Sequence, residues 1–363
     1  MGYLAKKGRP TVFYGICGEG LGHFSRSVFL ISELLKNDYR VEIFTSRRVV
    51  ELCRHKFAGC EVHAIPGMRL HYQNNSIHLP KTTWNNCQAI MQGPQALSLM
   101  LKRSRQCRVI AVISDYEPLV SITGAMMRLP VIAFDHQQIA SECQLDKGIA
   151  NVFDIGLWRF SNATTYIRPR VRIITSFFHP PLRKKRAERS RVLLPPVLRP
   201  EVLQQKTETG SHVLVYQTSR TMNNLKKILD LLPGEKRVYG VNKELSGQEE
   251  KPFNEQCFIK DLATCRFAVV NGGHTTLTEA IYLGKPVICF PVKGQAEQEV
   301  NGYYISKLQY GKSYGNLTPN EPLDFTDFYN NEESFRQNIR TNGNKCGNKQ
   351  LVESVLECLH SSQ

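Results

Sequence analysis

Short apolar runs alternate along this chain with longer stretches whose apolar residues recur every three or four positions. Residues 11–17 predict a buried strand. From about residue 25 to 35, Val28, Leu30, Ile31, Leu34 and Leu35 share one face of a helix. Residues 40–45 return as a strand, so the N-terminus predicts a βαβ unit with the glycine turn Gly18-Glu-Gly-Leu-Gly-His23 at its first crossover. Residues 109–113, 131–134 and 172–175 predict further strands, with helices over 93–103 and 119–127. Strands alternating with helices imply a parallel sheet covered on both faces.

The pattern breaks at Leu194-Pro-Pro-Val-Leu-Arg-Pro200 and restarts with strands at 212–216 and 237–241, a helix near 223–232 and an amphipathic helix over 344–359. A chain of 363 residues exceeds what one hydrophobic core usually supports. The expected architecture is α/β, with two Rossmann-like doubly wound domains facing across a cleft. Residues 1–200 and 201–343 form the domains, and residues 344–363 form a C-terminal helix able to pack back on the first. Ligands then bind at the carboxyl ends of the strands.

The strongest motif is Asn271-Gly-Gly-His-Thr-Thr-Leu-Thr-Glu279, after the apolar run 267–270 and before a second run at 286–290 and the polar loop Gln295-Ala-Glu-Gln298. Unpaired N–H groups at a helix start, on the positive end of its dipole, suit a phosphate or diphosphate. A carboxylate one to two turns in, Glu279, can reach a ribose hydroxyl. The bland alternative is a βα turn capped by Thr275 or Thr276.

The first glycine turn resembles a dinucleotide fingerprint, but no ribose-binding acid ends the second strand, which closes as Phe44-Thr-Ser-Arg47. Either the motif is a tight strand-to-helix turn and nothing more, or Gly20 and Gly22 allow close approach of a substrate, with His23 aimed into the cleft as a general base. Asp115, straight after a strand, is placed to orient His23 or else to cap the next helix. Glu117 and His136 are candidates for the acceptor side of the same cleft, His136 equally for a satisfied structural histidine.

Composition narrows the setting. Hydrophobic residues at 41% and charged ones at 22% are those of a globular protein. No 18-residue apolar segment or signal-like start appears, and Lys6 stands where a myristoylation signal at Gly2 needs Ser or Thr. Eleven cysteines without a Cys-x-x-Cys spacing suggest reduced thiols and a cytoplasmic protein. No zinc spacing occurs, so neither metal nor cofactor is expected. The net charge of +15 asks for an anionic partner: a nucleotide-sugar, a membrane surface or nucleic acid. Nine Lys or Arg lie between residues 168 and 191, a stretch suited to peripheral contact with an anionic membrane at its inner face, or to solvent alone. It lacks the aromatic interleaving of a nucleic-acid site.

With those residues in hand, the chain resembles the GT-B glycosyltransferases. Its C-terminal half is similar to the lipid II-forming N-acetylglucosaminyltransferase and the UDP-glycosyltransferases. The runs Gly15-Ile-Cys-Gly-Glu-Gly-Leu-Gly-His-Phe-Ser-Arg26, Ile113-Ser-Asp-Tyr-Glu-Pro-Leu119 and Phe134-Asp-His-Gln137 are similar to a prokaryotic branch of the same fold. The resemblance covers most of residues 11–310. It implies that Gly272, Gly273, His274, Thr275 and Thr276 hold a diphosphate and Glu279 the ribose. Gln295, Glu297 and Gln298 would contact the donor sugar, and residues near Phe258 and Ile259 would flank the base. His23 aligns with the family's base and Asp115 with its acidic partner. Asn271 and Gln295 depart from the plant signature, which has a histidine and an acid there. The reaction implied is inverting, metal-independent transfer from a UDP-sugar to a hydroxyl of a lipid-linked, glycan or small-molecule acceptor. Nucleotide-sugar 2-epimerases, hydrolases and DNA-base glycosyltransferases are the alternatives. Leu97, Leu99, Met100 and Leu101 beside Lys102, Arg103 and Arg105 read as a lipid-facing element or as a core helix with a basic end.

Overall fold

The computed structural model describes residues 8–361 apart from 74, 185–189, 218–221, 223–224, 241–253 and 316–322. The N-terminal strands are β1 (Thr11–Ile16), β2 (Arg40–Thr45), β3 (Glu61–Ala64), the hairpin β4 (Tyr72–Gln73) and β5 (Ser76–Ile77), β6 (Val109–Asp115), β7 (Val131–Asp135), β8 (Val171–Thr175) and β9 (Ser190–Leu194). The second half supplies β10 (Val213–Tyr216), β11 (Lys236–Tyr239), β12 (Ala268–Val270), β13 (Val287–Cys289) and β14 (Gly311–Ser313). Apart from the hairpin, these strands pair in parallel as two sheets, ordered β3-β2-β1-β6-β7-β8-β9 and β11-β10-β12-β13-β14.

Every residue of β1 is buried, as a strand with helices on both faces requires. Val12, Phe13, Tyr14 and Ile16 are fully shielded. Each contributes about 1.5–3 kcal/mol of burial. Strand order reverses beside β1 in the first sheet and beside β10 in the second, which opens a crevice at the carboxyl ends of β1/β6 and β10/β12.

The two domains touch across that crevice. The Gly22–Lys36 helix packs on the His274–Tyr282 helix. The β4–β5 hairpin bonds to the other domain: Ile77 N–H donates to Lys293 O (3.2 Å) and Lys293 N–H to Asn75 O (2.9 Å).

The chain crosses between the domains twice, at residues 194–199 and again at 343–348. The passages bond to each other: Leu198 N–H donates to Asn348 Oδ1 (2.8 Å), Asn348 Nδ2 to Leu198 O (2.7 Å) and Gly347 N–H to Pro196 O (2.8 Å). The Asn348–His360 helix then buries Leu351, Val355, Cys358 and Leu359 in the core of the N-terminal domain.

Two expectations change. The helix expected over 93–103 runs as Leu79–Gln106, with Pro94 inside it, and Met100 is buried, so this element is a core helix at its basic end. In the basic stretch, Lys185, Arg186 and Arg189 lie outside the described residues. Arg172, Arg183 and Arg191 donate to Gln138 Oε1, Cys143 O and Arg183 O, so they serve internal partners. No helix among the described residues is long and apolar enough to cross a membrane.

Candidate active site

His23 opens the Gly22–Lys36 helix directly after β1, and Asp115 is the last residue of β6. Neighbouring parallel strands bring them together although 92 residues separate them: His23 Nδ1 lies 2.7 Å from Asp115 Oδ1. Asp115 is fully buried. Burial pushes its carboxyl up, but Arg26 and then His23 outweigh this and hold it below its ordinary value. Arg26 Nε donates to Asp115 Oδ2 (2.8 Å) and Ser27 Oγ to the same oxygen (3.0 Å). Asp115 therefore orients the histidine and does not cap the next helix.

That cap is Glu117. Its carboxylate accepts from Val120 N–H (2.7 Å) and Leu119 N–H (3.2 Å), and burial pushes its pKa up to about 7. The acceptor-side expectation for Glu117 is corrected accordingly: its oxygens face a helix end. His136 is likewise engaged. Nδ1 donates to Thr175 O (2.8 Å), Nε2 lies 2.9 Å from Asn301 Oδ1 of the other domain, and the ring stacks on His274 at 3.8 Å. It joins the domains instead of facing an acceptor.

Gly20 has a left-handed φ of +76°, and Gly22 meets the opposite domain. A Cβ on Gly22 would stand 2.7 Å from Thr275 Oγ1. The two glycine turns thus face each other at contact distance. The His274–Tyr282 helix starts at Gly273 with no side-chain cap, and a Cβ on Gly273 would meet open space. The first-turn amides of His274, Thr275 and Thr276 are therefore without a capping side chain, an arrangement that suits an anion. His274 is buried, and burial, then His136 and Arg26, hold its pKa well below the ordinary value.

Three donor-side expectations move. Gly272 N–H already donates to Gln298 Oε1 (2.9 Å), and a Cβ there would lie 2.5 Å from Gln298 O, so Gly272 provides close packing and not a free amide. Gln298 Oε1 also accepts from Val292 N–H (3.1 Å), which makes this side chain a brace for the loop. Glu279 is buried with both oxygens bonded to Arg199, Nε to Oε1 at 2.7 Å and Nη2 to Oε2 at 2.8 Å, so it offers no oxygen to a ribose here. Phe258 and Ile259 bury their side chains in a hydrophobic cluster, which leaves their backbone for any contact with a base. Gln295 and Glu297 stay at the cleft, both partly exposed. Gln295 Oε1 accepts from Gln298 Nε2 (2.8 Å), and Glu297 accepts from Gln137 of the first domain (2.5 Å). No group of three His, Cys, Asp or Glu side chains among the described residues is arranged to hold a metal ion.

Sequence reasoning missed Arg26 and Arg199. Arg26 had a signal, since it lies one helical turn beyond His23 and shares its face. Arg199 had none, because it reaches Glu279 from a proline-rich passage 80 residues away.

Two doubly wound domains facing each other across strand ends define the GT-B glycosyltransferases, and solved members share the fold. UGT2 of Phytolacca americana, complexed with UDP-2fluoro-glucose and pterostilbene, matches with a TM-score of 0.69 at 11% identity, over 96% of this chain and 99% of that one. MurG of Acinetobacter baumannii matches with a TM-score of 0.60 at 12% identity, over 96% and 100%. A glycosyltransferase of Methanosarcina mazei is 24% identical over 343 residues, 85% of this chain and 86% of the relative. The family described as Glycosyl transferase family 1 matches residues 10–329, and the chain belongs to it. The protein is a glycosyltransferase.

Proposed function

We propose that the protein transfers a sugar from a UDP-sugar to an acceptor hydroxyl, with inversion and without a metal. His23 takes the acceptor proton as the acceptor oxygen bonds the anomeric carbon. The bond from that carbon to the diphosphate breaks on the opposite face, and its electron pair leaves with the phosphate oxygen. The amides and hydroxyls of His274, Thr275 and Thr276 meet the developing charge, a term that often dominates such chemistry. The observation that carries this reading is the juxtaposition of the His23–Asp115 pair with an uncapped helix start, brought within contact at Gly22 and Thr275. The likeness to a transferase holding UDP-2fluoro-glucose supports the donor class.

The acceptor carries an apolar portion, as a lipid-linked or aromatic molecule does. Exposed Trp84, Ile90 and Met91 lie on the Leu79–Gln106 helix, which starts beside the hairpin that reaches Lys293. Exposed Phe153, Leu157 and Phe160 lie on the Val152–Thr165 helix, whose Asp154 acts electrostatically on Glu299. Peripheral contact at the inner face of a membrane fits this surface better than the 168–191 stretch.

Product formation from a panel of UDP-sugars with polyprenyl-linked and phenolic acceptors tests the reading. His23→Ala should lose about 10²–10⁴ in kcat while UDP affinity by calorimetry is kept. Near-wild-type kcat at saturation would remove the base assignment.

A further inference from the structure

Asp115 does not face His23 alone. The Arg26 guanidinium grips both carboxylate oxygens, with Nε 2.8 Å from Oδ2 and Nη2 2.5 Å from Oδ1, and Nη2 also stands 2.5 Å from His23 Nδ1. Arg26 is 5% exposed and Asp115 0%, so water screens neither charge effectively. A carboxylate facing an imidazole by itself favours the imidazolium, whereas one already matched by a guanidinium does so far less.

We propose that Arg26 is a positioning residue for the base. It neutralises Asp115, so that Asp115 fixes the orientation of His23 without drawing a proton onto it. The imidazole then stays free to accept the proton of the sugar acceptor at pH values where an unmatched Asp–His pair would already hold one. This rests on reading His23 as the base.

The other groups facing the cluster leave Arg26 as its cation: burial pushes the Tyr14 hydroxyl and the Cys17 thiol up, so both stay neutral beside Asp115. The Tyr116 ring stacks on His23 at 6.0 Å. His274 approaches from the opposite domain and is kept neutral by burial. Asp135 acts electrostatically on Arg26 and on Asp115, and accepts from Tyr166 Oη.

The test reads the imidazole directly. In ¹⁵N-histidine protein the His23 signal is assigned by its loss in His23→Asn and titrated in wild type, Arg26→Gln and Arg26→Lys. The midpoint should rise by about one to three pH units in Arg26→Gln and stay near wild type in Arg26→Lys, which keeps the charge. The acid limb of kcat/KM should move with it. A folded Arg26→Gln protein with an unmoved midpoint overturns the proposal. If Arg26→Gln does not fold, the near-isosteric Asp115→Asn leaves the guanidinium unopposed and should lower the midpoint. A midpoint that stays or rises there overturns it equally. Should His23 not be the base, the NMR midpoint still moves while the acid limb stays put, so the two failures are told apart.

Discussion

Replacing Arg199 by Met strands a buried carboxylate, and the size of the loss follows from the surroundings. The Arg199 side chain is 8% exposed and that of Glu279 2%, and two parallel bonds of 2.7 and 2.8 Å join them. Arg199 also bonds Glu255, but that side chain is 44% exposed and contributes little. Removing one partner of a buried, doubly bonded pair costs about 3–5 kcal/mol. For a chain of 363 residues, at about 2.1 cal/mol/K of unfolding entropy per residue, that is a fall of roughly 4–7 °C in Tm. Glu279→Gln should cost less, about 1–3 kcal/mol, because an amide oxygen still accepts from Arg199. In Arg199→Met/Glu279→Gln no buried charge is left over, so the loss should fall short of the sum of the single losses by about 2 kcal/mol or more. Urea unfolding followed by circular dichroism measures all three. Additivity within about 0.5 kcal/mol, or an Arg199→Met cost below about 1 kcal/mol, would refute the buried pair. Glu279 would then be open to a ribose after all.

Gly22→Ala places a methyl 2.7 Å from Thr275 Oγ1. Stability by urea unfolding should fall by about 1–3 kcal/mol through overpacking, and adding Thr275→Ala but not Thr275→Ser should relieve it. For Glu117, burial raises the carboxyl from 4.5 to about 7, so the folded state holds the proton more tightly than the unfolded chain. That contribution is complete below about pH 4.5 and lost as pH rises to about 7, up to roughly 3 kcal/mol at 1.36 kcal/mol per unit. Glu117→Gln keeps an oxygen for the cap and removes the titration, so its Tm should fall less than wild type between pH 5 and 7.5; parallel curves would sink the idea. Asn348→Ala removes two buried bonds to Leu198 and should cost about 1–3 kcal/mol in the same unfolding assay.

The strands that carry the site were legible because each is a short apolar run closed by a glycine, an acid or a proline, and β1, β6, β12 and β13 fall within about two residues of expectation. Their meeting was legible too: His23 and Asp115 share a crevice because parallel topology forces both strand ends to one edge. The edge strands β3, β9 and β14 were not, since half-exposed pairing at a sheet margin leaves no continuous apolar run. Gly93 and Pro94 hid the first half of the long helix, where tertiary packing overrides local propensity. Side-chain partners were the least readable. Nothing local distinguishes a Glu279 that awaits a ribose from one held by a distant arginine, or a Gln298 that contacts sugar from one that braces its own loop.

The paired crossings at residues 194–199 and 343–348 have a mechanical consequence. A body tied at one point can swivel freely, but one tied by two adjacent strands bonded through Asn348 turns about the line through them. A rotation of the C-terminal domain that keeps these bonds turns about the line through the two passages, and so moves Thr275 relative to Gly22. The facing of Thr275 and Gly22 is thereby tied to how the chain is anchored.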